Sequence, residues 1–87
     1  MYDLENLIDH ASRGAHGLKR GDELILNNIW DNLLTEITNL TIGGNLDAET
    51  SKKLEKLMKS DLYLNKTKIT NLGIFYSRIR AIRAYVE

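Results

Sequence analysis

The sequence predicts an all-α protein, a small four-helix bundle, on three observations. Apolar residues recur at three- and four-residue spacing in four separate segments, glycines cluster between segments, and proline is absent. Eighty-seven residues are one domain's worth of chain, so residues 1–87 read as a single helical domain.

Leu4, Leu7, Ile8 and Ala11 place a first short helix from about Asp3 to Arg13. The stretch from Gly14 to Gly21 holds three of the six glycines and reads as a loop. Asp22 is the expected N-cap of a longer second helix running to about Leu40. Its apolar stripe is Ile25, Leu26, Ile29, Leu33, Ile37 and Leu40, widened by Trp30 and Leu34. Gly43-Gly44-Asn45 should end it, because glycine takes the left-handed cap conformation without steric cost.

Asp47 is placed to cap a third helix from Ala48 to about Ser60, with Leu54, Leu57 and Met58 turned inward. A connector is expected from Asp61 to Asn65, then a last helix from about Lys66 to Tyr85. Leu72, Phe75, Ile79, Ile82 and Val86 alternate by three and four residues along it as one continuous seam. Gly73 is its weak point, costing about 1 kcal/mol relative to alanine inside a helix.

A competing pattern is present. Thr35-x-Ile37-Thr38-Asn39-Leu40-x-Ile42 reappears as Thr67-x-Ile69-Thr70-Asn71-Leu72-x-Ile74, and Ile37-x-x-Leu40-x-Ile42-x-x-Asn45 fits the core of a leucine-rich repeat. Such a solenoid needs at least three stacked repeats and caps, which this length does not hold. A short hairpin in place of a helix end is the other reading of the alternation.

Twelve basic residues balance twelve acidic ones, so no global field draws the chain to nucleic acid or an anionic membrane. The absence of cysteine excludes a disulfide framework and a thiolate zinc site. The N-terminal residues lack the basic and apolar regions of a signal peptide, and no apolar run approaches a bilayer's thickness. Asn39 and Asn65 open glycosylation sequons that carry little weight without a secretion signal. The expected location is intracellular: cytoplasmic, or nuclear in a eukaryote.

No chemistry assembles from the reactive residues, and the chain is expected not to be an enzyme. His10 and His16 alone have unperturbed pKa values near neutrality, and their six-residue spacing matches no zinc motif. Ser12 and His10 point in different directions from one helix. Lys19 and Arg20 precede a helix start, but the Gly-x-x-x-x-Gly-Lys-Ser/Thr phosphate loop and its strand are missing. The carboxylate pairs Asp3 with Glu5, and Asp47 with Glu49, serve helix N-termini. No cofactor is expected.

Two features remain as candidate interaction sites. Lys66, Lys68, Arg78, Arg80 and Arg83 form a basic cluster with Tyr76 and Tyr85 nearby, a combination able to track a phosphate backbone. The seam of Leu72, Phe75, Ile79, Ile82 and Val86 serves as core, or, where other helices leave it uncovered, as a groove for a partner protein, a peptide or a second copy.

Leu54-Glu55-Lys56-Leu57, Leu62-Tyr63-Leu64, Thr67-Lys68-Ile69 and Ile79-Arg80, with Asn45-Leu46-Asp47 before them, carry a family resemblance. In this order the stretch resembles the N-terminal domain of transcription elongation factor IIS and the related integrase-binding helical domains. That resemblance implies a non-catalytic helical bundle that binds short disordered peptides of transcription regulators through its inter-helix loops. The family's tryptophan near its end has no counterpart here. The expected function is therefore a protein-interaction module of regulatory, transcription-related character. The alternatives are a small nucleic-acid-binding protein using the basic C-terminal helix, and a phage- or plasmid-type inhibitor or immunity protein acting by occlusion.

Overall fold

The computed structural model describes residues 4–19, 21–44, 46–64 and 68–86. Within them the chain forms α1 (Leu4–Ala15), α2 (Glu23–Gly43), α3 (Ala48–Met58), a single-turn α4 (Asp61–Leu64) and α5 (Leu72–Val86). Four full-length helices pack as a small all-α bundle, and the described residues contain no strand. The leucine-rich-repeat pattern thus lies on helices: Ile37, Leu40 and Ile42 are all in α2. None of these helices is long and apolar enough to cross a membrane.

One hydrophobic core unites every long helix. Leu4, Leu7, Ile8, Ala11 and Ala15 come from α1, Leu26, Trp30, Leu33 and Ile37 from α2, Leu54 and Leu57 from α3, and Phe75, Ile79 and Ile82 from α5. Fully burying one such leucine, isoleucine or phenylalanine is worth about 1.5–3 kcal/mol. The Trp30 and Phe75 rings meet edge to face at 6.2 Å between centroids, locking α2 against α5. The buried stripe of α2 is centred on Trp30 rather than on its neighbours, and Ile25, expected inside, is exposed.

Boundaries differ from expectation for identifiable reasons. α2 continues to Gly43 and stops where Gly44 adopts the left-handed conformation at φ 69°. α3 ends at Met58, where the Lys59 amide donates to the Glu55 carbonyl and the Ser60 amide to the Leu57 carbonyl. The expected connector from Asp61 contains the turn α4.

The last helix starts at Leu72, not near Lys66. Residues 68–70 are non-helical because Asn27 of α2 clips them: its Nδ2 donates to the Ile69 carbonyl at 2.9 Å, and its Oδ1 accepts from the Ile69 amide at 2.9 Å. With both backbone groups of Ile69 engaged by a side chain and its own side chain fully buried, a helical path there is closed. Asn71 then starts α5, its Oδ1 accepting from the Ile74 amide at 2.9 Å. Gly73 consequently sits in the first turn of α5 rather than in a helix interior.

Candidate functional site

The expected interaction seam is interior. Phe75, Ile79 and Ile82 are at most 3% exposed, and Leu72 and Val86 are half-buried against the same core. As a partner surface this assignment is corrected for Phe75, Ile79 and Ile82, which α1, α2 and α3 bury in the core.

The basic cluster does not converge on one surface. The Arg78 guanidinium lies over the Trp30 ring at 5.6 Å from its centroid, facing α2. Arg83 donates from Nη2 to the Asp9 carboxylate of α1 at 2.8 Å. Arg80 is exposed and, two residues from Arg78, points roughly 200° around the helix from it. Lys68 is exposed on the connector, and Lys66 lies outside the described residues. Arg78 and Lys68 share a surface; Arg80 and Arg83 face elsewhere.

That shared surface is an open groove of about 820 Å³ running along α2. One wall is α2 itself, through Glu23, Leu24, Asn27, Asn28, Asp31, Thr35, Thr38 and Asn39. The other is made by Tyr63 of α4, the connector Lys68–Ile69–Thr70 and Arg78 of α5. Buried Trp30 and Ile69, with half-buried Leu34 and Tyr63, give it an apolar floor. The charges divide by wall: Glu23 and Asp31 on the α2 side, Lys68 and Arg78 opposite.

Hydrogen bonds fix the two walls at both ends. At one end stands the Asn27–Ile69 clip, and the same Asn27 Nδ2 also donates to the Glu23 carbonyl at 2.7 Å. At the other, the Tyr63 hydroxyl donates to the Leu34 carbonyl at 3.0 Å and is hydrogen-bonded to the Thr38 hydroxyl. Burial pushes the Tyr63 phenol above its ordinary pKa, so it remains a neutral donor throughout the physiological range.

Chemically, the groove offers hydrogen-bonding amides and hydroxyls above an apolar floor. Its described lining residues include no histidine. His10 and His16 are both exposed, on α1 and just after it. Among the described residues no three His, Cys, Asp or Glu side chains converge as a metal site would require.

Lys68 and Arg78 were singled out by the sequence, but the polar residues that α2 gives this groove were not. Asn27, Asn28, Asp31, Thr35 and Thr38 lie off the apolar stripe of α2, where polar residues are the default of any surface helix. A signal was nonetheless present: Leu24 is a large apolar residue outside that stripe, exposed, and lines the groove.

No protein-family model matches this sequence. A Lon protease of Rickettsia conorii is 29% identical to it over 83 residues, which cover 95% of this chain. The chain spans only 11% of that protease's length. No solved structure matches.

Proposed function

We propose that this chain is a non-catalytic helical module that binds a short segment of a partner protein in the groove along α2. One observation carries the reading: an apolar floor bounded by two walls of opposite charge, open to solvent along α2 from Glu23 to Asn39. An apolar anchor with polar and charged flanks is the arrangement by which grooves take peptides. The finer form, a segment from a transcription regulator, rests on the resemblance to the elongation factor IIS family. The position of the inter-helix connector Lys68–Thr70 in the groove wall supports it. An inhibitor or immunity protein would be a protein binder of the same kind.

The chain matches only 11% of the length of the Lon protease it resembles, so that protein's proteolysis is not carried over to it. No histidine is among the described residues of the groove, and the purified chain is expected to leave an unfolded protein substrate uncut.

A displayed peptide library selected on the intact chain tests the proposal. Selected peptides should bind at least about tenfold more weakly to Asn28→Arg/Thr35→Arg, which fills the groove, and unchanged to Arg80→Ala. Peptides indifferent to the groove variant, or lost with Arg80→Ala, would place the site elsewhere. Cleavage of the substrate, abolished by replacing a single side chain, would defeat the non-catalytic reading.

A further inference from the structure

The groove along α2 is charged in one half and neutral in the other. Glu23 and Asp31 stand on the α2 wall, Lys68 and Arg78 on the facing one. Ile69 is clipped to Asn27 and Arg78 lies over Trp30, so both cations stand across from the Glu23–Asp31 half. Toward the other end Thr35, Thr38, Asn39 and Tyr63 bear no charge. Asp31 and Lys68 are both exposed, and among the described residues neither charged group is in an ion pair. The chain carries no formal net charge at pH 7, so this division is local and not the fringe of a general field.

We propose that the occupant of this groove is an amphipathic helix of a partner protein whose apolar stripe has cations along one flank and anions along the other. The inference rests on the peptide-binding reading and adds the chemistry of the peptide. An occupant seated on half-buried Leu34 and Tyr63 takes water away from both walls. A carboxylate or ammonium that loses water without gaining a counter-charge is destabilised. A cation must therefore come to Asp31 and an anion to Lys68. A segment of one sign throughout would satisfy one wall and be repelled by the other.

The walls also select a helix. α2 and α5 spend their backbone groups within themselves, and both backbone groups of Ile69 are taken by Asn27. Only Lys68 and Thr70 flank it in the groove wall, too few for an added strand to pair with. A helix brings its own backbone hydrogen bonds and presents only side chains. From Glu23 to Asn39 the groove runs about 24 Å, room for about four turns. In such a helix the a and d positions of a heptad lie on the floor, and the e and g positions face the two walls. Opposite signs at e and g match the opposed walls.

A displayed library of helical peptides tests it, with leucine fixed at a and d and lysine, glutamate or glutamine allowed at e and g. Selection on the intact chain should enrich lysine on one flank and glutamate on the other. Asp31 and Lys68 are exposed, so circular dichroism should show Asp31→Lys and Lys68→Glu folded as the parent is. Each should weaken a selected peptide about fivefold or more, and reversing the corresponding flank of the peptide should restore binding. Asp31→Lys/Lys68→Glu keeps the net charge and should prefer the peptide with both flanks exchanged. Proline at a solvent-facing f position in mid-peptide should abolish binding, and unchanged affinity there would overturn the helix. Peptides sensitive to Asn28→Arg/Thr35→Arg but without flank preference, or with one sign on both flanks, would overturn the charge-divided partner and leave the groove a peptide site. A library that yields no binder, or only binders indifferent to that groove variant, would overturn both.

Discussion

Helices α2 and α5 look alike in sequence, each an amphipathic segment with an apolar stripe and polar outer residues, yet the bundle uses them differently. α5 gives Phe75, Ile79 and Ile82 to the core, and two of its arginines turn to neighbouring helices, Arg78 to Trp30 and Arg83 to Asp9. α2 gives only one side to the core and keeps a long outer face with Leu24 and Ile42 exposed at its ends. A strong apolar seam marks where the molecule holds itself together. Candidate binding surface is found on the face left over.

The largest expected effect breaks or upholds this contrast directly. Phe75→Ala removes a fully buried ring that touches both Trp30 and Tyr76. It should cost about 3–5 kcal/mol of stability in urea unfolding. Thr35→Ala, on the outer face of α2, should change stability by less than about 0.5 kcal/mol. Comparable losses at the two positions would show that the outer face of α2 is structural after all.

A smaller loss should follow from Asn27→Ala, which sharpens the comparison by separating the groove wall from the core. The variant leaves the Ile69 amide and carbonyl without their partner in a part-buried place. The expected cost is about 2–3 kcal/mol, with faster hydrogen exchange at the Ile69 amide while the amides of α1 stay protected. Uniform loosening of the whole chain would mean that Asn27 supports the fold rather than the connector.

The helices were legible because their stripes repeat on a period of three to four residues, and the end of α2 was legible from its glycines. The start of α5 was not. Lys68, Ile69 and Thr70 continue a helical pattern in sequence, and only a side chain 42 positions away holds them out of it. The same limit hid the groove. Tyr63 and Asn27 act together across it through contacts between α4, the connector and α2, and no local spacing encodes that meeting. The five seam residues were visible, but periodicity alone does not distinguish a covered face from an open one.

Smaller still is the expected effect of the paired arginine on α5. Arg83 and Asp9 are each more than a third exposed, so water screens their attraction. A double-mutant cycle with Arg83→Ala and Asp9→Ala should give a coupling of about 0–1 kcal/mol, shrinking further with salt. Because Arg78 and Arg80 point apart, oligonucleotide titrations should also fall short of the log–log salt slope of about −2.7 that three simultaneous duplex contacts would produce. A slope that steep, flattened by about 0.9 on replacing one arginine, would return the binding surface to α5.

The smallest effect is expected at Asp47, the fully exposed residue that precedes α3. Its carboxyl is held below its ordinary value of 3.8, chiefly by a hydrogen bond from the Thr50 hydroxyl, with the charge of Lys53 contributing least. A depressed folded-state pKa means that the folded chain binds this proton less readily than the unfolded chain does. The stabilisation is therefore present above the unfolded-state value and lost as the pH falls through the folded one. Stability of the parent should decline slightly more than that of Asp47→Asn as the pH is lowered from about 5 to 3, measured by thermal unfolding at matched ionic strength. Because Asp47 adjoins α3 and does not line the groove, the acid-sensitive increment should appear equally in the Asn28→Arg/Thr35→Arg background. An increment that differed between the two backgrounds would tie the start of α3 to the groove, and the division between structural and available faces would have to be redrawn.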